Sequence, residues 1–151
     1  GFNQNKPNLI IIDLKLKIKK KLRIFDSLKK RKILIVTNII KNKKKDYLKK
    51  RGVKFISISS LNSKNDFIKL FKTLNKRGHN RILVETGLKF LNTLIKNKLI
   101  FNLYVFKSPI KLGKNGFNNA SVNLIKKLNI NKKINVNLNG DGLYKIKLNN
   151  V

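Results

Sequence analysis

The sequence contains no cysteine, methionine or tryptophan, and it has only six acidic residues and one histidine among 151 residues. Without cysteine, a disulfide framework, a thiol nucleophile and a thiolate metal site are all excluded. No apolar run approaches the ~20 residues that a membrane-spanning helix requires. The first five residues have neither the charged start nor the apolar centre of a secretion signal. The chain is therefore predicted to be soluble and cytoplasmic, with a length that suits one domain.

Lysine dominates what is present, and 37 basic residues against six acids give a formal net charge of +31. Such a charge ordinarily indicates a nucleic-acid partner. Arginine, the better reader of phosphate and guanine, occurs only at positions 23, 31, 51, 77 and 81. The lysines show no aromatic interleaving of the kind that stacks bases. The bias towards residues with A/T-rich codons is interpreted as genomic, so nucleic acid is not the expected partner. Lysine runs such as residues 43–45 are interpreted as solvated faces or loops.

The apolar pattern predicts an α/β fold. Short runs of branched residues indicate buried strands, and stretches with helical periodicity lie between several of them. The strands are predicted at residues 9–12, 32–37, 53–58, 81–84 and 102–106, and the helices at 42–51, after a capping box at 63–66, and at 88–98. Two further strands, at 134–138 and 143–148, flank a turn and indicate a hairpin. This order predicts a mostly parallel sheet with an antiparallel C-terminal hairpin, flanked by helices.

Glu85 is the only glutamate of the chain, and it lies between a predicted strand and a predicted helix. Ligands of open α/β sheets bind beyond the carboxyl ends of the strands. Gly87 allows close approach of a ligand to the backbone, and the free amides of a helix start can hold a phosphate. The alternative is structural, since an acid near a helix start is favoured by the macrodipole.

Other candidates follow from strand ends and loops. Asp13 ends the first strand and either lines the ligand crevice or caps a turn. Thr37 ends the second strand and, with Asn38, either contacts a cofactor or caps the next helix. His79 has no partners for a catalytic triad or a metal site and is predicted to lie in a loop. No metal site is predicted.

The order of motifs resembles the C-terminal reductase domain of the bifunctional riboflavin-biosynthesis deaminase/reductase, a relative of dihydrofolate reductase. The run RGHNRILVETGLKFLNTLIKNKLIFNLYVFKSPIKLGKNG is similar to the family's glycine–strand–VEGG–helix–strand–APxLLG sequence. KPNLIIIDLKLKI, KILIVT and RGVKFISI resemble three earlier strands of the family, and NGDGLYKIKL resembles its closing hairpin. The resemblance predicts a single reductase-type domain, in its C-terminal portion, over residues 6–151. Residues 1–5 are predicted to be a disordered or trimmed start.

The resemblance implies a reaction and a site. Enzymes of this family use NADPH to reduce the ribosyl group of 5-amino-6-(5-phosphoribosylamino)uracil to a ribityl chain. By the resemblance, Glu85 contacts the pyrimidine of the substrate. The cofactor-binding residues are then Asp13, Thr37, Gly87, Leu88, Lys89, Phe90, Leu91, Asn92 and Thr93. The family also pairs through this domain, so a homodimer is expected, with Tyr104 and Phe106 as candidate contacts.

The sequence departs from the family pattern in several places. Thr86 stands where the first glycine of a double glycine is usual, Phe101 and Asn102 where an acidic pair is usual, and Ser108 where alanine is usual. The family's first strand, catalytic lysine and aspartate–proline segment have no counterpart, so the catalytic residues are expected upstream, in a longer bifunctional protein. The alternatives are an inactive reductase-like remnant and a basic nucleic-acid-binding module.

Overall fold

A computed structural model describes residues 6–110, 128, 130 and 132–148 of the chain. The chain divides into two units, Gly1–Asn80 and Arg81–Val151. The start predicted at residues 1–5 lies outside the described residues, and the single domain predicted over residues 6–151 stays a prediction.

The first unit contains a three-stranded parallel sheet. Its strands β1 (Leu9–Ile12), β2 (Ile33–Thr37) and β3 (Lys54–Ser57) lie in the order β1-β2-β3. All five residues of β2 are buried, as the central strand of a parallel sheet covered on both faces requires. The three predicted strands are thereby confirmed.

Helices cover this sheet, and local sequence explains where they begin. A 3-10 helix spans Arg23–Lys29, between β1 and β2. Helix α1 (Lys43–Lys50) begins where the Asn42 side chain accepts a hydrogen bond from the Lys44 N–H. It ends before Gly52, whose φ of +97° is easy only for glycine. Helix α2 (Lys64–Lys76) begins with the predicted capping box of Ser63 and Asp66.

The core of the first unit forms on both faces of the sheet. One apolar cluster includes Phe25, Ile33, Ile35, Leu48 and Val53. Helix α2 buries the stripe Phe67, Leu70 and Leu74, which recur at helical spacing. Full burial of each such side chain contributes roughly 1.5–3 kcal/mol. The strand ends at one edge of this sheet are therefore held by a well-packed scaffold.

The second unit contains helix α3 (Leu88–Lys96) and an antiparallel sheet. The sheet has the order β4-β6-β5, formed by β4 (Asn102–Lys107), β5 (Lys133–Ile134) and β6 (Gly142–Lys147). The turn before β6 has positive φ at Asn139 (50°) and Gly140 (97°), which suits these two residue types. The predicted C-terminal hairpin is confirmed, but its first strand covers Lys133–Ile134, and residues 135–138 of the predicted strand form none.

The buried strand predicted at residues 81–84 is wrong. These residues form no strand, and Ile82, Leu83 and Val84 are 39%, 78% and 42% exposed. A branched apolar run favours a strand only where a neighbouring strand supplies hydrogen-bond partners. Within the described residues, neither sheet extends to this segment.

The fold class predicted from the sequence is confirmed as mixed α/β, with a parallel sheet, an antiparallel sheet and flanking helices. None of the helices in the described ranges is long and apolar enough to cross a membrane.

Candidate functional site

Asp13 lies directly after β1, at the carboxyl edge of the parallel sheet. Its N–H donates to the Val36 carbonyl (2.9 Å), and its own carbonyl accepts from the Leu16 N–H (3.0 Å). Its carboxylate Oδ2 accepts from the Ile18 N–H at 2.8 Å. The carboxylate therefore caps the turn after β1, and a contact with the cofactor stays a prediction.

Thr37 ends β2 beside that turn, and its side chain is fully buried (0% exposed). Its hydroxyl donates to the Leu14 carbonyl (2.8 Å) and accepts from the Ile39 N–H (3.2 Å). The alternative in which Thr37 and Asn38 cap the next helix is wrong, because Asn42 caps α1. Because the hydroxyl is used inside the protein, the loop after Thr37 is the part of this strand end that a ligand can reach.

Lys45 is a buried residue that its position in a lysine run does not indicate. The run predicts a solvated face, but Lys45 is 4% exposed. Its Nζ donates to the carbonyls of Ile39 (2.7 Å) and Ile40 (3.2 Å) and to Ser57 Oγ (3.5 Å). Burial lowers the pKa of Lys45, and the Lys49 charge lowers it further while Asp46 opposes the shift. The available sequence signal was its helical spacing from Leu48, which places both residues on one face of α1.

Glu85 lies in the second unit, two residues before the N-cap of α3, and it is exposed. The predicted strand before it, at residues 81–84, is absent. Across the described part of the chain, no hydrogen bond or ion pair engages its carboxylate. The carboxylate is therefore accessible to a ligand that donates hydrogen bonds.

Gly87 is the N-cap of α3 and adopts extended backbone angles, φ −71° and ψ 161°. A Cβ placed on Gly87 meets no atom within 4 Å. Neither backbone strain nor packing in this structure demands a glycine here, and the open space fits the approach of a cofactor. The Phe90 and Leu91 N–H groups donate to the Gly87 carbonyl, which leaves the Leu88 and Lys89 amides as the helix-start donors.

The remaining predicted cofactor residues lie further along α3. Asn92 and Thr93 are in the helix body, and the Thr93 hydroxyl donates to the Lys89 carbonyl at 3.1 Å. Only the start of the segment at residues 87–93 thus combines open space with helix-start amides, the combination that favours an anion.

The candidate residues form two groups. Asp13 and Thr37 lie together in the first unit, joined through the Leu14 carbonyl, and Glu85 with Gly87 lies in the second. His79 follows α2 in a loop, as predicted. A cavity of about 300 Å³ on the antiparallel sheet is mainly apolar and contains no predicted substrate or cofactor residue; it is lined by Val105, Phe106, Lys107, Ile130 and Tyr144.

Comparison with solved structures shows which fold this chain has. RibD from Acinetobacter baumannii is similar to this chain with a TM-score of 0.65 at 17% identity, over 91% of this chain and 36% of that one. A pyrimidine reductase-like protein from Corynebacterium diphtheriae is similar with a TM-score of 0.66 at 18% identity, over 94% of this chain and 61% of that one. This chain thus spans about a third of the length of the RibD chain and about three-fifths of the length of the pyrimidine reductase-like protein. Such identities show a shared fold, that of RibD-type reductase domains.

The particular family follows from the sequence as a whole. The model of the RibD C-terminal domain matches residues 1–139. The chain belongs to this family, which confirms the resemblance found in the motifs. No curated protein sequence matches the chain.

Proposed function

We propose that this chain is a reductase domain of riboflavin biosynthesis. In this proposal it reduces the ribosyl group of 5-amino-6-(5-phosphoribosylamino)uracil with NADPH, as part of a longer deaminase/reductase. The family match over residues 1–139 supports an oxidoreductase of that pathway. The observation that carries the site is local: an exposed carboxylate, Glu85, precedes an uncrowded Gly87 at the start of α3.

The residues of this site have distinct proposed roles. Glu85 accepts hydrogen bonds from the amino and ring N–H groups of the pyrimidine, which a carboxylate does more strongly than an amide. Gly87 gives the cofactor diphosphate room, and the Leu88 and Lys89 amides donate to it. NADPH supplies the hydride. The groups that transfer protons are expected in the upstream part of the longer protein.

Titration of the purified chain with NADPH, followed by nucleotide fluorescence, tests this proposal. The wild type is expected to saturate. Glu85→Gln is expected to keep NADPH affinity but to lose about tenfold or more in affinity for the pyrimidine substrate, because a hydrogen bond to a charged group is worth roughly 1.5–3 kcal/mol. Absence of saturable NADPH binding by the wild type contradicts the proposal.

A second candidate function has one specific observation in its favour. On one face of the antiparallel sheet, Tyr104 and Phe106 are 46% and 67% exposed. Lys145 pairs with Tyr104 across the strands, and Lys147 pairs with Asn102 on the same face. The Lys145 Nζ lies 5.8 Å from the centre of the Tyr104 ring. Exposed aromatics beside lysines are a common platform for single-stranded nucleic acid.

Binding of a fluorescent oligothymidine at several salt concentrations separates the two functions. Under the reductase proposal, binding is weak at physiological salt and the double variant Tyr104→Ala, Phe106→Ala leaves NADPH affinity unchanged. Tight binding with a steep salt slope, lost in that variant, favours the nucleic-acid function. The expected homodimer uses the same two aromatics and stays a prediction.

A further inference from the structure

The buried ammonium of Lys45 connects three groups at one end of the parallel sheet. Lys45 is 4% exposed, whereas the other lysines of α1 are half-buried or exposed. A buried charge is tolerated only where its donors are bound. Its contacts to Ile39, Ile40 and Ser57 match the three donors of an ammonium group.

These contacts fix the direction of two successive peptide groups. The loop between β2 and α1, residues 38–42, turns the Ile39 and Ile40 carbonyls towards the same Nζ. In a trans peptide the N–H points opposite to the carbonyl, and both peptides are trans. The Ile40 and Lys41 N–H groups therefore point away from Lys45. Ile40 is 77% exposed and Lys41 is also exposed, so this part of the loop lies at the surface.

The third contact joins the loop to the neighbouring strand. Ser57 is the last residue of β3, and the next N–H, that of Ile58, donates to the Thr37 carbonyl at 3.0 Å. Lys45 thus holds the loop against the carboxyl ends of β2 and β3, the edge where ligands of parallel sheets bind.

We propose that Lys45 is a positioning residue for the dinucleotide cofactor. It orders the loop at residues 38–42 so that the loop's outward amides and Lys41 face the cofactor. Lys45 itself does not touch the cofactor. This inference rests on the proposed function, because the ligand is the NADPH of that proposal.

Substitution of Lys45 by methionine tests the inference, with Lys50→Met as a matched control. Both changes remove one positive charge from α1 and keep an apolar stem, but Lys50 is exposed. With both variants folded by circular dichroism, Lys45→Met is expected to raise the NADPH dissociation constant about tenfold, the scale of one hydrogen bond to a charged group. Lys50→Met is expected to stay within about twofold, because a single exposed charge is screened by salt.

Amide hydrogen exchange gives a readout that a general loss of stability does not reproduce. In Lys45→Met, exchange is expected to accelerate at the hydrogen-bonded amides of the loop, those of Asn38 and Ile39, while protection in α2 is retained. Wild-type NADPH affinity and wild-type loop protection in a folded Lys45→Met variant overturn the inference. If that variant does not fold, Ser57→Ala, which removes one acceptor, decides by the same two measurements.

The two proposals fail in different ways. If the wild type and Lys45→Met bind NADPH with equal affinity, the proposed function stands and Lys45 has no part in it. A wild type that does not bind NADPH overturns the proposed function and the ligand of this inference together. In that case the exchange measurement still shows whether Lys45 orders the loop.

Discussion

Thr37 and Lys45, both buried in the first unit, show how polar groups are kept inside this protein. Each binds backbone groups at the carboxyl edge of the parallel sheet. Burial of a polar group is unfavourable unless its hydrogen bonds are made inside. The two side chains therefore stabilise the strand ends and fix the loop that follows β2.

Thr37→Val is expected to lower the free energy of unfolding by about 1–3 kcal/mol, because the Leu14 carbonyl and the Ile39 amide each lose a partner. Thr73→Val is the matched control. It removes a hydroxyl that donates within α2 to the Lys69 carbonyl on an exposed surface, so a change within about 0.5 kcal/mol is expected. Urea unfolding measures both, and equal effects contradict the role assigned to Thr37.

Gly87→Ser separates packing from ligand binding. Serine is a favourable N-cap, and the new Cβ meets no atom within 4 Å. Stability is therefore expected to stay the same or rise slightly. NADPH affinity is expected to fall about tenfold, because the side chain occupies the space that glycine leaves for the diphosphate. A thermal melt and an NADPH titration are the measurements, and unchanged affinity removes Gly87 from the proposed site.

Among the elements, α2 begins at a capping box that the sequence predicts directly. The Asp66 carboxylate accepts hydrogen bonds from Ser60 and from the Ser63 and Asn62 amides, which lower its pKa to about 2. A pKa depressed by folding stabilises the protein above the ordinary aspartate value of about 3.9. That stabilisation is lost as the pH falls towards about 2.

Asp66→Asn is therefore expected to weaken the decline of stability between pH 4 and pH 2, because asparagine has no charge to lose. The measurement compares unfolding midpoints of wild type and variant across that range. Asp46→Asn, which changes an exposed acid on α1, is the control. Because Asp66 is intact in this variant, its stability should decline between pH 4 and pH 2 as steeply as that of the wild type. A parallel decline in wild type and Asp66→Asn would show that the capping box does not titrate with folding.

The segment at residues 81–84 is the element for which sequence and structure disagree, and two identical substitutions test it. Leu83 is 78% exposed and Leu94 of α3 is 1% exposed. Leu83→Ala is expected to change stability by no more than about 0.5 kcal/mol, whereas Leu94→Ala should lose about 2–5 kcal/mol. Comparable losses at both sites would restore the buried strand that the sequence predicts.

At the scale of the whole molecule, the net charge of +31 sets the response to salt. NADPH is an anion, so its affinity is expected to fall as sodium chloride rises from 0.05 to 0.5 M, because the Debye length shrinks from about 14 Å to 4 Å. Self-association of two highly basic chains should respond in the opposite direction, since screening reduces their repulsion. Titrations and sedimentation velocity at both salt concentrations measure the two effects. A dimer that dissociates at high salt contradicts an apolar contact through Tyr104 and Phe106.

Features that depend on local chemistry are readable from the amino-acid sequence alone. Branched runs gave β1, β2 and β3, the Ser63–Asp66 pair gave the start of α2, and the motif order gave the family. Tertiary structure decided which groups are buried. It buried Lys45, one lysine of a run whose other members are more exposed, and it left residues 81–84 outside both described sheets. Periodicity reports which face of an element is apolar, but burial depends on the neighbours that the rest of the chain brings against it.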